Sequence, residues 1–144
     1  MDLINEQLSG FEILYGKLMG NYSISVNEHI PVIFDIEKIN AKIEDFSELL
    51  DDAARSLNEL TEKTLDNLKT NIAVELTDAA YSEYINNTKA KDYLDLKAQL
   101  KLKNIIFYFD NVISMIFEAK EEFPDMLIYC QVDQSFYIED LAVQ

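Results

Sequence analysis

The stretch from Ile36 to Leu60, IEKINAKIEDFSELLDDAARSLNEL, carries the most regular hydrophobic pattern in the chain. Its apolar residues recur at alternating spacings of three and four: Ile36, Ile39, Ile43, Phe46, Leu50, Ala53, Leu57 and Leu60. That spacing is typical of a helix whose narrow apolar seam lies against another helix. The pattern continues in a shifted phase and predicts one long helix, or two collinear helices, that reach to about Ile85.

A second run with nearly the same rhythm follows the sequence Asn86-Asn87-Thr88, which is interpreted as a break between helices. Its apolar positions are Leu94, Ala98, Leu102, Ile105, Phe109, Val112, Ile116 and Ala119. They predict a helix that reaches about Glu122 and is ended by Pro124. Because residues 105–109 are apolar or aromatic throughout, this helix is expected at the centre of the fold. The two runs together predict a mainly α fold, with long amphipathic helices packed as a hairpin or bundle.

The flanking segments add a further helix and a small β-element. Residues 2–19 predict a first amphipathic helix, with Gly20 as its left-handed C-cap. Residues 22–34 switch to a period of two and predict a short hairpin with an edge strand, since Pro31 cannot donate to a ladder. Residues 126–138 predict strand, turn and strand, able to pair with residues 22–26, or alternatively a short last helix. The chain is interpreted as one domain, 1–144, with parts at 1–35, 36–122 and 123–144.

Charge is the most informative feature of the composition. The 144 residues include 27 acids and 12 bases, a net charge of -15, which repels bulk nucleic acid and anionic membranes. Residues 1–60 hold 12 acids and 4 bases, residues 61–104 hold 7 of each, and residues 105–144 hold 8 acids and 1 base. A single cysteine, an N-terminus without a basic region and no long apolar run predict a cytoplasmic protein without signal peptide or membrane span.

No motif in the sequence carries catalytic or metal chemistry. His29 is the only histidine and Cys130 the only cysteine, so a His/Cys zinc site is excluded. His29 is interpreted as a solvated loop residue, and Cys130 as a small buried hydrophobe. The acids Glu121, Glu122 and Asp125 lack the ligand spacing of a calcium loop. The sequence therefore predicts a protein that is not an enzyme, with no cofactor and no metal.

Carboxylates along the predicted long helix form a candidate partner-binding face. This acidic face consists of Glu37, Glu44, Glu48, Asp51, Asp52, Glu59 and Glu62. Steps of three or four residues place helical carboxylates about 5–6 Å apart, close to the spacing of phosphates along a nucleic-acid strand. Such a row could occupy a basic groove built for DNA or RNA. The alternative is an ordinary solvated face, because Asp51, Arg55, Glu59 and Lys63 alternate in sign.

A lysine cluster with nearby tyrosines is the candidate for direct contact with nucleic acid. Its residues are Lys89, Lys91, Tyr93, Lys97, Lys101 and Lys103. Lysines beside aromatic rings can follow a single-stranded backbone and stack its bases. Asp92 and Asp95 lie among them, so the predicted binding is weak and salt-sensitive.

Residues from about Ile36 to Glu118 resemble the UvsY-like recombination mediators of phages. The resemblance lies in the long heptad helix and the segments Tyr81-Ser82-Glu83-Tyr84, Lys91-Asp92-Tyr93-Leu94-Asp95 and Tyr108-Phe109-Asp110, continuing to Ile113 and Ile116. It implies an oligomer that binds single-stranded DNA and helps seat a recombinase while single-strand-binding protein is displaced. The acidic balance and the predicted strands at both ends depart from that family.

Three functional hypotheses follow, each of them non-enzymatic. The first is a phage-type accessory protein that acts by protein contact in nucleic-acid transactions, specifically as a recombination mediator. The second is an acidic inhibitor that blocks a nucleic-acid-binding defence protein by presenting carboxylates in place of phosphates. The third is a structural helical subunit of an assembly. A protein partner and self-association through the seams are expected in addition, because a narrow apolar stripe on a long helix rarely stays exposed.

Overall fold

Seven strands form one mixed sheet whose spatial order is the order of the chain. A computed structural model describes residues 7–81 and 89–144. The strands are β1 (Leu8–Leu14), β2 (Lys17–Ser25), β3 (Glu28–Asp35), β4 (Lys101–Tyr108), β5 (Ile113–Glu118), β6 (Ile128–Val132) and β7 (Ile138–Val143). Neighbouring strands are antiparallel except β3 and β4, which are parallel.

The helices lie in the connection between the two parallel strands. A short 3-10 helix (Ile43–Phe46) leads into α1 (Ser47–Leu57), and α2 (Glu62–Tyr81) and α3 (Lys89–Gln99) follow. Parallel neighbours cannot be joined by a tight turn, so the chain between β3 and β4 has to cross over. The helices make that crossover and cover one face of the sheet.

Alternate residues of the strands form the core beneath the helices. The Tyr22 hydroxyl donates to the carbonyl oxygens of Leu57 at 3.0 Å and Leu60 at 3.3 Å, which ties β2 to the end of α1. Phe34 and Phe107, from the two parallel strands, stack with ring centroids 5.4 Å apart. Both rings are almost fully buried. The hydrophobic core therefore lies between one face of the sheet and the helices.

The prediction of a mainly α, coiled-coil-like bundle is wrong. The stretch that suggested it holds the exit from β3, the 3-10 helix and α1, and Ile39 and Ile43 are 88% and 54% exposed. Only the later half of that seam is a helical core face, since Ala53 and Leu57 are buried in α1. Within the described residues the predicted seam is therefore not one continuous helical face, and self-association itself stays a prediction. A bent chain buries its own apolar residues against the sheet and needs no partner helix to do so.

The second predicted long helix is also wrong beyond Gln99. Residues 101–118 form β4 and β5, joined by a turn in which Asn111 has a positive φ of 65°. Ile105 and Phe107 face the helices while Ile106 and Tyr108 face the other way, so β4 is apolar on both sides and has the composition of a buried helix. The helix α3 does lie inside the predicted range. The predicted break at residues 86–88 falls outside the described residues.

The N-terminal helix predicted over residues 2–19 is replaced by a hairpin over the part of it that the structure describes. Tyr15 and Gly16, at φ 52° and 76°, form the two-residue turn between β1 and β2. Gly20 is not a helix cap. It lies within β2, where an added Cβ would approach the Phe11 ring to 3.2 Å, so close packing explains the glycine.

The predicted β-element at residues 22–34 and 126–138 is present as strands, although its placement differs. Tyr22 pairs with Ile30 in the predicted hairpin, but β3 lies inside the sheet and Pro31 is therefore not on an edge strand. The C-terminal strands β6 and β7 pair with each other, and β6 also pairs with β5. They do not pair with residues 22–26, because at least three strands lie between β2 and either of them.

Helix length and apolarity bear on the membrane prediction. Among the helices of residues 7–81 and 89–144, none is both long and apolar enough to cross a bilayer.

Because the thiol of Cys130 is buried, the folded protein is expected to lose stability at alkaline pH. The side chain is fully buried, and burial, followed by the charges of Glu75 and Asp140, raises the pKa of its thiol to about 12. In the unfolded chain the thiol ionises near pH 9, whereas the native chain keeps its proton, so unfolding releases a proton above that pH. The free energy of unfolding is therefore expected to fall between pH 9 and pH 12, by up to about 1.4 kcal/mol per pH unit from this group.

Urea unfolding at pH 8, 9 and 10 measures this slope. In Cys130→Ala the decline between pH 8 and pH 10 should be smaller, and the tyrosines contribute equally to both proteins. Parallel curves for the two proteins would show that the thiol does not cause the alkaline loss.

Candidate protein-binding edge

Four chain segments meet at one end of the sheet. The register places Asp35 beside Tyr108, Phe107 beside Ile113 and Val132 beside Ile138. Consequently the turns at residues 15–16, 109–112 and 133–137 lie at the same end as residues 36–42, which leave β3. We call these four segments the loop edge.

Large hydrophobic side chains are exposed along the loop edge. Tyr15 is 99% exposed, Tyr137 70% and Phe109 56%, and Ile39 beside them is 88% exposed. Tyrosine and other aromatic residues are enriched at protein–protein interfaces, where a rigid ring buries much area at little entropic cost. This concentration of exposed hydrophobic side chains makes the loop edge the candidate site for protein binding.

The backbone of the loop edge is held in conformations that L-residues rarely adopt. Within the described ranges, every non-glycine residue with positive φ lies here: Tyr15, Glu37, Asn40, Asn111 and Phe136. Asparagine tolerates this region, whereas a tyrosine, a glutamate or a phenylalanine is strained there. Strained positions cluster at functional sites, where the surrounding structure holds them.

Local hydrogen bonds fix these loops in place. The Asp133 carboxylate accepts from the N–H groups of Ser135 at 2.8 Å and Tyr137 at 3.0 Å. The Gln134 amide donates to the Asn111 side chain at 3.2 Å, which joins two of the turns. Because the loops are ordered before any partner arrives, binding costs less conformational entropy.

Three acidic residues influence the half-buried Tyr108 at the end of β4. Burial raises the pKa of Tyr108, and the negative charges of Asp35, Asp110 and Glu37 raise it further. Asp35 is partly engaged, since its carboxylate accepts the Glu37 N–H at 2.9 Å and lies 3.7 Å from the Lys17 ammonium. The loop edge is therefore aromatic and acidic together.

The structure brings three of the seven residues of the predicted acidic face, Glu37, Asp52 and Glu59, to this edge. Glu37 belongs to the loop edge itself, and α1 runs beside it. Asp52 and Glu59 line a cleft of about 210 Å³ together with Gln134 and Ser135 of the turn at 133–137. Residues 35–59 hold eight acids and three bases, which makes this flank strongly negative.

The sequence predicted that the acidic residues lie along one straight helix. The remaining acidic residues do not follow such a line. Glu44 lies in the 3-10 helix, Glu48 and Asp51 are exposed on α1, and Glu62 begins α2 after a break. Asp52 forms an ion pair with Arg55. The predicted face is therefore divided between the chain after β3, the 3-10 helix, α1 and the start of α2.

The predicted nucleic-acid contact is not assembled as a cationic surface among the described side chains. Lys97 lies 3.1 Å from Asp66, Lys103 lies 3.6 Å from Glu118, and the Tyr93 hydroxyl donates to Asp78. Lys101 is exposed at the start of β4. Lys89 and Lys91 begin α3, and their side chains lie outside the described part of the structure. Ion pairing lowers the charge that these lysines can offer to phosphates.

The residues singled out for chemistry occupy ordinary environments. His29 is exposed on β3, with its Nδ1 2.8 Å from the Ser23 hydroxyl, so it is on a strand and not in a turn. Cys130 is buried, as predicted. In the part of the chain that the structure describes, no three His, Cys, Asp or Glu side chains are grouped to hold a metal ion.

Comparison with protein-family models, with curated proteins and with solved structures finds no match for this chain. Sequence reasoning found the acids of the site but missed its exposed rings, Tyr15, Phe109 and Tyr137. The signals for them were present as turn sequences: Tyr15-Gly16, Asp110-Asn111 and Asp133-Gln134-Ser135 each interrupt an apolar run. Only the last was interpreted as a turn, because the helical period masked the other two.

Proposed function

We propose that this chain is a non-enzymatic inhibitor that occupies the nucleic-acid-binding surface of a basic partner protein with its loop edge and the adjoining acidic face. The observation that supports this most directly is the meeting of exposed rings with carboxylates at one end of the sheet. Tyr15 and Phe109 offer apolar anchoring area, and Glu37 and Glu59 offer charges to a surface evolved to bind phosphates, whereas Asp52 is paired with Arg55. The carboxylates would raise the rate of association, and the rings, once buried in the interface, would stabilise the complex.

A basic partner is favoured over nucleic acid itself by the sign of the charge. At a net charge of -15 the chain repels phosphates at long range, and the same field accelerates association with a cationic protein. Recombination mediation, which requires the chain or its oligomer to bind single-stranded DNA, remains a competing hypothesis. The ion pairs of Lys97 and Lys103 give it less support than the acidic edge gives to inhibition.

Capture from an extract of the native host, followed by competition, tests the proposal. The immobilised chain should retain a basic, nucleic-acid-binding protein at low salt, and duplex DNA should release it in proportion to its concentration. The purified partner should lose DNA binding in a gel-shift assay when the chain is added. A captured protein that binds DNA and this chain at the same time would contradict the proposal.

The mediator hypothesis gives a different result in the same set of measurements. Titration of a labelled single-stranded oligonucleotide at about 50 mM salt, where phosphate contacts are strongest, would show saturable binding to this chain. Saturable binding there, together with no competition at the partner, would favour mediation over inhibition.

A further inference from the structure

The helices that the structure describes pack on one face of the sheet, and we call the other face the open face. Alternation and register assign to it a row of half-buried apolar residues, Met19, Ile33 and Ile106, on three adjacent strands. A second row, two residues further along the strands, contains Pro31, Ile116 and Tyr129. An antiparallel sheet with one solvated face normally carries polar residues there, so this apolar centre is unusual.

The open face carries a small net charge although the protein is strongly acidic. Its charged residues, within the described ranges, are Glu12, Lys17, Asp35, Lys101, Lys103, Glu118, Glu139 and Asp140. They comprise five acids and three bases, and two pairs neutralise each other, Lys17 with Asp35 and Lys103 with Glu118. The remaining acids, Glu12, Glu139 and Asp140, lie on the outermost strands. A basic partner finds little attraction here, whereas a second acidic copy meets little repulsion.

Asn104 lies at the centre of the open face with an unsatisfied side-chain oxygen. It is on the central strand β4, opposite Ile116, and its side-chain oxygen is buried without a hydrogen-bond partner in the described structure. An unpaired buried carbonyl of this kind destabilises the isolated chain. Rotation about χ2 brings either the carbonyl or the NH₂ group of the amide to the surface. Two such amides that meet at a two-fold axis can each donate to and accept from the other.

We propose that a second copy of this chain packs against the open face, with a two-fold axis close to Asn104. Two sheets would then stack face to face, and the apolar rows around Ile106 and Ile116 would fill the space between them. Seven strands spaced about 4.8 Å apart and about six residues tall offer roughly 600 Å² per copy, or about 1,200 Å² in total, which reaches the lower limit for a specific interface. A buried asparagine pair would fix the register of the two sheets, as such pairs do in coiled coils.

This interface differs from the self-association that the sequence predicted through helical seams. It also leaves the loop edge free, because that edge lies at the strand ends and not on the flat of the sheet. The dimer and the inhibitory function can therefore be tested independently of each other, since the dimer needs no partner protein.

Light scattering on the purified chain coupled to size-exclusion chromatography tests the proposal. The wild-type chain should run as a dimer, and Ile106→Glu should convert it to a folded monomer, because a charge would be buried between the sheets. The matched control is Ile39→Glu, the same change on the loop edge, which should remain dimeric. A wild-type chain that stays monomeric up to about 0.5 mM would overturn the proposal, as would a dimer that Ile39→Glu dissociates and Ile106→Glu does not.

Cross-linking locates the axis and remains informative if Ile106→Glu fails to fold. In Asn104→Cys, a short bis-maleimide should produce a covalent dimer, because the two introduced thiols face each other. Cys130 is buried and does not compete for the reagent. Val26→Cys, at a 90% exposed position in the turn between β2 and β3, should give no dimer at the same concentration. Equal yields from the two variants, or no dimer from Asn104→Cys, would contradict an axis at this point.

Discussion

Replacing Phe107 with alanine is expected to lower the free energy of unfolding by about 3–5 kcal/mol, because it removes a ring buried in the core and leaves a cavity. Phe107 is 2% exposed and stacks on Phe34 across the parallel pair β3 and β4. The cavity would therefore lie between β3 and β4, the two parallel strands that the helical crossover connects. Urea unfolding followed by circular dichroism measures the change.

Phe109→Ala is the matched control, two residues along the same chain. Phe109 is 56% exposed beyond the end of β4, so its truncation should change stability by less than about 0.5 kcal/mol. A helical seam through residues 94–119 predicts the reverse order, because Phe109 belongs to that seam and Phe107 does not. A larger loss from Phe109→Ala than from Phe107→Ala would therefore contradict the sheet.

Reversing three charges on α1, as Glu48→Lys, Asp51→Lys and Asp52→Lys together, is expected to weaken binding to the proposed basic partner by at least about 100-fold. Each change replaces an attraction with a repulsion, and close charge pairs across an interface couple by about 1.5 kcal/mol or more. Most of the effect should appear in the association rate and should shrink as salt is added. Surface plasmon resonance with the captured partner at two salt concentrations measures both.

The matched control makes the same change of net charge at the other end of the sheet. Glu121→Lys, Glu122→Lys and Asp125→Lys alter three exposed acids in the segment between β5 and β6. If the loop edge and α1 form the interface, this variant should bind within a few-fold of the wild-type chain. Equal losses from the two triple variants would show that only the overall charge matters, and would remove the proposed site.

The helices were the part of the fold that sequence reasoning located well. α1, α2 and α3 all lie inside ranges that the three-four spacing predicted as helical. In α1 the spacing is a true helical face, since Ala53 and Leu57 are buried while Asp51 and Arg55 are exposed. The acidic face was found for the same reason, because residues three or four apart on a helix are neighbours whatever the rest of the chain does.

The strands were missed where both faces of the sheet are apolar. In β4, Ile105 and Phe107 point into the core, and Ile106 and Tyr108 lie half-buried on the open face, so the alternation that marks a strand disappears. Residues 22–34 and 126–138 were recognised because polar residues, such as Ser23 and Gln131, alternate with the buried ones. A strand can thus be predicted from the sequence when its two faces differ in polarity.

By itself, the sequence determined the charge of this protein, the uneven distribution of that charge and the composition of the acidic face, because these depend on residue identity and short-range spacing. The tertiary structure alone decided that Tyr15, Phe109 and Tyr137 are exposed at one end of a sheet beside those acids. The strands that position them are paired over long sequence separations, as Val32 with Ile105 shows. Their backbone hydrogen bonds are made between segments, so no local pattern of residues encodes which strands become neighbours.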